Sequence, residues 1–166
     1  SVHTSIRYTI IRASNMYGPY YETSFNKIFK YIKLGKLRYI GKGTNHMTLV
    51  HVDDVVDGII AALDNMNSLN QTFNLTDGEP YTLKQLFDKA ATFLNATPPS
   101  KHVHPALAVL RAKIFNINRA ELNFMLSDRI VSIAKIKKDL NFHPTRSIDN
   151  EGNAMVQEFL KRYRGD

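Results

Sequence analysis

The stretch IIRASNMYGPYYET, residues 10–23, decides the fold because a β-branched run ends there in small polar residues and a Gly-Pro break. Together with the residues before it, the run predicts a buried strand over residues 6–12. A strand that is apolar on both faces is typical of a parallel sheet covered on both sides. Ligands of such α/β folds bind at the carboxyl ends of strands. The stretch therefore predicts either one wall of a ligand site or an ordinary strand exit.

The composition indicates an ordinary globular domain. The chain has 166 residues, of which 43% are apolar and 22% are charged, and this length suits one domain with its own core. The absence of cysteine excludes disulfides, thiolate zinc sites and cysteine catalysis, and favours a cytoplasmic location. No apolar run reaches the length of a membrane span, so we expect no membrane partner. His102 and His104 have no third ligand nearby, and we expect no metal site.

The net charge of +7 raises nucleic-acid binding as an alternative function. The basic residues are scattered, and their small clusters at 135–138 and 161–164 fall on predicted helix faces. Charges in such positions usually serve solvation. A stand-alone basic module that binds nucleic acid is therefore the alternative from another class, and the sequence does not favour it.

The hydrophobic periodicity predicts about four short strands and six helices. The apolar face of the first helix consists of Phe25, Ile28, Phe29 and Ile32, and that of the last helix of Ile148, Met155, Val156 and Phe159. The strands are expected at 6–12, 37–40, 47–52 and 71–75. The helices are expected at 24–34, 54–64, 83–94, 106–126 in two parts, 133–140 and from 148 onward.

Polar residues at helix starts predict the caps. Asp53 or Asp54 should cap the second helix, whose apolar stripe is then Val56, Ile59, Ile60 and Leu63. Thr82 with Gln85 has the spacing of a capping box, Pro105 can begin a helix, and Ser132 and Ser147 can cap the last two helices.

Several site chemistries are missing from the sequence. No G-x-G-x-x-G motif occurs, and the loop from Gly41 to Thr44 lacks the P-loop spacing. None of the eight tyrosines is followed by a lysine four residues later, the arrangement that would tune a tyrosine for proton transfer. His51 could lie beside a substrate, but a histidine bonded locally at a strand end is favoured. We therefore expect no catalytic residue in this chain.

Four segments in order resemble a known family: IIRASNMYGPY, then IGKGTNHMTLVHVDDVVDGIIAAL, then TFNLTDGEPYTLKQLFDKAATFLN, then KIKKDLNFHPTRSIDNEGNAMVQEFL. Together they look like the C-terminal half of an extended short-chain dehydrogenase/reductase of the NAD-dependent epimerase/dehydratase group. The resemblance covers nearly the whole chain. It implies an α/β fold class: the C-terminal, substrate-binding part of an extended Rossmann-type dehydrogenase.

The resemblance also implies what this chain lacks. In that family the N-terminal half carries the glycine-rich NAD(P) loop, the catalytic Ser or Thr and the Tyr-x-x-x-Lys pair. Residues 1–166 would then form a single, truncated substrate-binding fragment that includes the late Rossmann strand at 6–12. The fragment alone would be inactive and would bind NAD or NADP weakly or not at all.

The family assigns a few residues of this chain to the site. Ala13, Ser14 and Asn15 lie where the family passes the nicotinamide, so they are the expected cofactor-binding residues, although many members have Pro where this chain has Ala13. Asn15, Tyr17 and Met47 are the expected substrate-binding residues. A strand-end Asn bonded within its own turn is the alternative for Asn15.

The substrate class stays open at this point. Nucleotide-sugar enzymes often carry Arg-Asp where this chain has Met47-Thr48, and MTLVHVDDVVDG looks more like the branch similar to 3β-hydroxysteroid dehydrogenases. The resemblance implies an isomerase or oxidoreductase that passes hydride between nicotinamide and a nucleotide sugar, or a less polar alcohol or ketone. A non-catalytic, NAD-bound regulatory protein of the same fold is the further alternative. An exposed strand edge would make a homo-oligomer possible.

Overall fold

The computed structural model describes residues 6–19, 24–114 and 126–163. The strands are β1 (Thr9–Ala13), β2 (Asn15–Tyr17), β3 (Tyr39–Ile40), β4 (His46–His51), β5 (Gln71–Leu75), β6 (Pro80–Thr82) and β7 (His102–Val103). The helices are α1 (Ser24–Lys33), α2 (Val52–Leu63), α3 (Leu83–Phe93), α4 (Pro105–Ile114), α5 (Ala134–Leu140) and α6 (Ile148–Arg162), with a 3-10 turn at Met66–Ser68. The predicted fold class, α/β with short strands and six helices, is confirmed for these ranges.

The described strands form three small sheets. β1 pairs in parallel with β5, and β3 pairs in parallel with β7. β4 is central in the third sheet, with β2 parallel on one side and β6 antiparallel on the other. The chain passes from β1 to β2 through Ser14 alone, so these two consecutive strands join the first sheet to the third.

Strand boundaries differ from the prediction where pairing partners end. The strand expected at 6–12 begins at Thr9 because β5, its partner, begins at Gln71. The strand expected at 47–52 is β4, which is shifted because Val52 already belongs to α2. The strand expected at 37–40 is shorter in the structure, where it is β3. β2, β6 and β7 were not predicted, because strands of two or three residues are too short to give a periodic signal.

Two apolar cores hold the elements together. The first lies among α1, α3 and α6, and the predicted faces of α1 and α6 both point into it, with Ile28 partly buried. The second contains Val50 and Phe73 from the sheets, Ala62 from α2 and Ile136 from α5. Within the described ranges, no helix is long and apolar enough to cross a membrane.

The helix caps match the prediction in part. The capping box is confirmed, because Thr82 Oγ1 accepts from Gln85 N at 3.1 Å and Gln85 Oε1 accepts from Thr82 N at 2.7 Å. Ser147 is the N-cap of α6, but it accepts from the helix through its carbonyl oxygen and not its side chain. Ser132 lies one residue before the α5 N-cap, Ile133, and its hydroxyl accepts from Ala134 N.

The prediction that Asp53 or Asp54 caps α2 is wrong. The N-cap is His51, whose Nδ1 accepts from Asp53 N at 3.2 Å. Asp54 is buried and bonds instead to Thr145 and Arg146, in the connection before α6. The imidazole supplies the acceptor because β4 runs straight into the helix and leaves His51 in the extended conformation of a cap.

The predicted inner face of α2 is also wrong. The structure buries Asp54, Gly58 and Ala62 and exposes the predicted stripe of Val56, Ile59, Ile60 and Leu63. Gly58 faces the sheet because a Cβ there would lie 2.9 Å from Leu75 Cδ2. Pro105 begins α4 as predicted, and the helical segment expected at 116–126 lies outside the described residues except for residue 126.

Candidate functional site at the carboxyl ends of the strands

Ser14 and Asn15 are fixed to the neighbouring strand β4. Ser14 Oγ donates to Thr48 O at 2.6 Å and lies 2.8 Å from Thr48 Oγ1. Asn15 Nδ2 donates to the same carbonyl at 3.2 Å, so its amide is held by β4 and not by its own turn. Ala13, the last residue of β1, is exposed beside them. The predicted cofactor-binding residues therefore lie together where β1 ends and β2 begins, and their roles stay predictions.

Tyr17 and Met47 lie in the first core. The side chain of Tyr17 is 0% exposed, and its ring packs edge-on to His51 with the centroids 5.3 Å apart. Met47 is 6% exposed and pairs with Tyr81 across β4 and β6. The substrate contacts predicted for both residues stay predictions. Because both side chains are buried, a substrate could contact them only within this packed core.

Gly18 explains the Gly-Pro break after β2. Its φ of +141° is a conformation that favours glycine. A Cβ at this position would lie 2.8 Å from Val52 Cγ1 and 3.0 Å from His51 Nε2. The missing side chain lets the backbone after β2 pass directly over the end of β4 and the start of α2.

His51 presents one nitrogen to the interior. Because Nδ1 accepts from Asp53 N, the neutral ring carries its hydrogen on Nε2, which is buried and has no hydrogen-bond partner among the described residues. Glu151 Oε2 is the nearby carboxylate oxygen, 4.0 Å from Nε2. The favoured local role of His51 is confirmed, and the same geometry leaves a donor available beside Tyr17.

Asp77 is the second polar group at this place. It follows β5, its backbone N donates to Leu49 O at 2.7 Å, and its Oδ1 accepts from Glu79 N at 3.1 Å. Oδ2 is buried and has no partner among the described residues. Burial raises the pKa of Asp77 to about 6, although the hydrogen bond from Glu79 N opposes the shift.

The Tyr17 hydroxyl completes the group, which we call the strand-end cluster: Tyr17, His51, Asp77, Tyr81 and Glu151. The hydroxyl is buried without a partner among the described residues. Burial raises the pKa of Tyr17 well above its ordinary value, and the negative charge of Asp77 raises it further. The pKa of Tyr81 rises for the same two reasons. Both tyrosines are therefore neutral hydrogen-bond donors throughout the physiological pH range.

Ser14 and Asn15 are partly buried and can contact a polar molecule at the strand ends, but the arrangement offers no cradle for the phosphates of a dinucleotide. Such a cradle needs backbone N–H groups at a glycine-rich helix start, and α2 begins instead at a capped His51 with Asp53 and Asp54 in its first turn. Carboxylates there repel phosphate. Ala13, Ser14 and Asn15 can form at most one wall of a nicotinamide site. The described residues also contain no cluster of three or more His, Asp or Glu side chains placed to hold a metal.

Sequence reasoning missed most of the strand-end cluster. Asp77, Tyr81 and Glu151 were not among the predicted site residues, and the strand that contains Tyr81 was not predicted. The available signal was that β4 ends on the polar residue His51 and that Thr76 and Asp77 follow β5, since the carboxyl ends of such strands can form a site. Glu151 gave no such signal because it reaches the cluster from α6, 100 residues after His51.

The parallel strands, the covering helices and the polar strand ends define the class: an α/β protein of the Rossmann type. In comparison with known families, residues 2–76 match the NAD dependent epimerase/dehydratase family. This stretch is less than half of the chain and includes β1 to β5.

A curated relative extends the likeness over nearly the whole chain. UDP-glucose 4-epimerase of Vibrio cholerae is 24% identical over 160 residues, which cover 95% of this chain and 48% of that protein. The chain spans between a quarter and a half of the length of the curated relatives that it matches.

Solved structures show the same fold. UDP-glucose 4-epimerase of Thermotoga maritima with UDP-glucose superposes with a TM-score of 0.71 at 22% identity, over 95% of this chain and 47% of that one. UDP-glucuronic acid 4-epimerase of Bacillus cereus in complex with NAD gives 0.70 at 18% identity, over 93% of this chain and 45% of that one. The chain therefore shares its fold with about half of each of these enzymes.

Proposed function

We propose that this chain is the C-terminal, substrate-binding part of an NAD-dependent sugar epimerase or dehydratase, and that its substrate is a nucleotide sugar. The observation that carries the proposal is the placement of Ser14 and Asn15 at the end of β1, fixed to Thr48 of β4. The family match over residues 2–76 and the sugar-nucleotide names of the similar enzymes support it.

In this proposal Asn15 orients the substrate. Its Nδ2 is held by Thr48 O at 3.2 Å, which leaves the amide oxygen to accept from a sugar hydroxyl. Such a fixed acceptor discriminates among hydroxyl positions because a misplaced sugar leaves it unpaired. Tyr17, at the end of the same strand, packs its ring edge-on against His51 and so fixes the end of β2. NAD would supply hydride transfer, with a proton-transferring tyrosine outside this chain.

The branch is the finer part of the proposal. Met47-Thr48 and the sequence MTLVHVDDVVDG favour the branch similar to 3β-hydroxysteroid dehydrogenases, for which a less polar alcohol or ketone is the substrate. The similar enzymes found here act on nucleotide sugars, and we therefore place the nucleotide sugar first. NADP in place of NAD, and a non-catalytic regulatory role, stay the further alternatives.

The test is an NMR titration of the 166-residue chain with UDP-glucose and, in parallel, with a 3-ketosteroid. We expect UDP-glucose to shift the amide signals of residues 13–17 and 46–51. Asn15→Ala should weaken binding about tenfold, the effect of losing one hydrogen bond of about 1.4 kcal/mol. Asn153→Ala, on the exposed face of α6, is the matched control and should change nothing.

Two results would contradict the proposal. If only the steroid shifts the amide signals of these residues, the substrate is a less polar alcohol or ketone and not a nucleotide sugar. Binding of UDP-glucose that Asn15→Ala and Asn153→Ala affect equally would remove Asn15 from the site.

A further inference from the structure

The outer side of α1 combines lysines with exposed apolar side chains. The helix buries one apolar stripe in the first core: Phe25, Phe29 and Ile32. Residues spaced i, i+3, i+4 and i+7 share one face of a helix, and on the side opposite that stripe they are Lys27, Lys30, Tyr31 and Leu34. Tyr31 is 47% exposed and Leu34 is 52% exposed. Leu34 extends the last turn, because its N–H donates to Lys30 O at 3.1 Å.

The C-terminal cap of α1 adds a further lysine at the end of the helix. Gly35 has a φ of +62°, its N–H donates to Ile32 O at 2.9 Å, and Lys36 N donates to Tyr31 O at 2.9 Å. These two bonds form a Schellman cap, which turns the chain back, so that the backbone of Lys36 lies beside the last turn of α1. Lys33 is in that turn. We call the exposed set the α1 face: Lys27, Lys30, Tyr31, Lys33, Leu34 and Lys36.

The α1 face carries charge of one sign. No Asp or Glu occurs between Glu22 and Asp53, whereas this stretch contains six Lys or Arg residues. The surface of α3, by contrast, pairs Lys84 with Asp88. Mixed signs are typical of a solvated helix face, and a basic face that also carries apolar residues is typical of a helix that binds an anionic surface or partner.

α1 belongs to a part of the fold that this chain builds from its own elements. It packs with α3 and α6 on the first core, and Lys30 Nζ lies 5.4 Å from the ring centroid of Tyr163, just after α6. Ile11 of β1 and Phe73 of β5 pack on the second core instead. Under the proposed function the remaining half of the enzyme continues the sheet of β1 and β5 and adjoins that second core. The α1 face is therefore separate from the surface at which that half would join.

We propose that the α1 face binds the surface of an anionic lipid membrane. The lysine ammonium groups attract the negative headgroups, while Leu34 and the ring of Tyr31 enter the boundary between headgroups and acyl chains. Tyrosine suits this depth because its ring is apolar and its hydroxyl is polar. The expectation of no membrane partner concerned spanning segments, and a surface contact needs no span. The proposal does not rest on the proposed function.

Nucleic acid is the other polyanion that a basic surface can bind, and the α1 face fits it less well. Phosphates would pair with the lysines, but Leu34, which is half exposed, has no favourable contact with a phosphate backbone. α1 also contains no arginine, the residue that most often reads guanine and that stacks on bases. The mixture of lysine with exposed leucine and tyrosine therefore favours a lipid surface.

Cosedimentation of the 166-residue chain with vesicles tests the proposal. One set of vesicles is phosphatidylcholine alone, and in the other about a third of the lipid is phosphatidylglycerol, at ~0.1 M salt. We expect binding to the anionic vesicles only, and weaker binding as salt rises. Lys33→Gln together with Lys36→Gln should lower the partition coefficient at least about fivefold. The control pair Lys137→Gln and Lys138→Gln, exposed on α5, removes the same charge and should change it less than about twofold.

A second variant separates lipid from other polyanions. Leu34→Asn keeps the charge and should weaken vesicle binding about threefold or more, whereas Leu63→Asn, at a position 80% exposed on α2, should not. Thermal unfolding of every variant shows whether it is folded. Binding to neither kind of vesicle would overturn the proposal, as would equal losses from the two lysine pairs or no loss from Leu34→Asn. A chain that binds a single-stranded DNA oligonucleotide through Lys33 and Lys36, but not the anionic vesicles, would also overturn it and assign the α1 face to nucleic acid.

Discussion

Asp54 is the most informative residue to change, because one buried carboxylate ties α2 to the connection before α6. The side chain of Asp54 is 1% exposed. Its oxygens accept from Thr145 N at 3.3 Å, Arg146 N at 3.1 Å and Arg146 Nη1 at 2.7 Å. Arg146 also donates to Asp57 Oδ2 at 2.8 Å, but the Asp57 carboxylate is half exposed. The two aspartates thus share one arginine in different surroundings.

Asp54→Asn keeps the shape of the side chain and replaces one acceptor oxygen by an N–H donor. That donor must face backbone N–H groups or the guanidinium of Arg146, so a buried group loses its partner. The loss of hydrogen bonds to a buried charge should lower the free energy of unfolding by about 2 to 4 kcal/mol. Asp57→Asn removes an exposed ion pair and should cost less than about 1 kcal/mol.

Urea unfolding followed by circular dichroism, at pH 7 and fixed salt, measures the difference between the variants. A double-mutant cycle with Arg146→Met should give a larger coupling energy for Asp54 than for Asp57. Equal costs for Asp54→Asn and Asp57→Asn, within about 0.5 kcal/mol, would refute the reasoning that burial makes the first pair matter.

Three further predictions concern other parts of the chain. Burial raises the pKa of Asp77 to about 6, so the carboxyl group ionises at lower pH in the unfolded chain than in the folded one. The free energy of unfolding should therefore fall by about 1 to 2 kcal/mol as pH rises from 4 to 6. Asp77→Asn should flatten this decline in urea titrations. Gly152→Ala should cost about 1 to 3 kcal/mol, because a Cβ there would lie 2.1 Å from the ring of Phe93. The neighbouring control Asn153→Ala, on the exposed face of α6, should cost nothing when both variants are compared by thermal unfolding. Calorimetry with NAD(H) and NADP(H) should detect no tight binding to the 166-residue chain, and a stoichiometric complex would show that a phosphate cradle exists.

Where a segment carried its apolar residues on one face only, or where its signal lay within a few residues, the sequence predicted the local structure correctly. The capping box at Thr82 and Gln85, the strand at 71–75 and the inner faces of α1 and α6 all follow from signals within a few residues. Such signals succeed because a helix with one apolar stripe has one way to bury it.

The candidate site was predictable only up to the strand ends. The sequence at the end of β1 predicted Ala13, Ser14 and Asn15 as site residues, and the structure brings these residues together beside Thr48. It did not show that Tyr17 is fully buried. That burial depends on Phe25 of α1 and His51 of β4 packing against the ring, which are contacts between elements.

The sequence by itself determined the class of fold, the order of the helices and longer strands, and the absence of a phosphate loop and a Tyr-x-x-x-Lys pair, because these depend on local periodicity and residue identity. Only the tertiary structure decided which side of α2 faces inward, since the helix is largely apolar all round and its periodicity cannot choose. The choice comes from distant partners: Arg146 binds Asp54, and Leu75 leaves room only for Gly58. The same orientation leaves Val56, Ile59, Ile60 and Leu63 exposed.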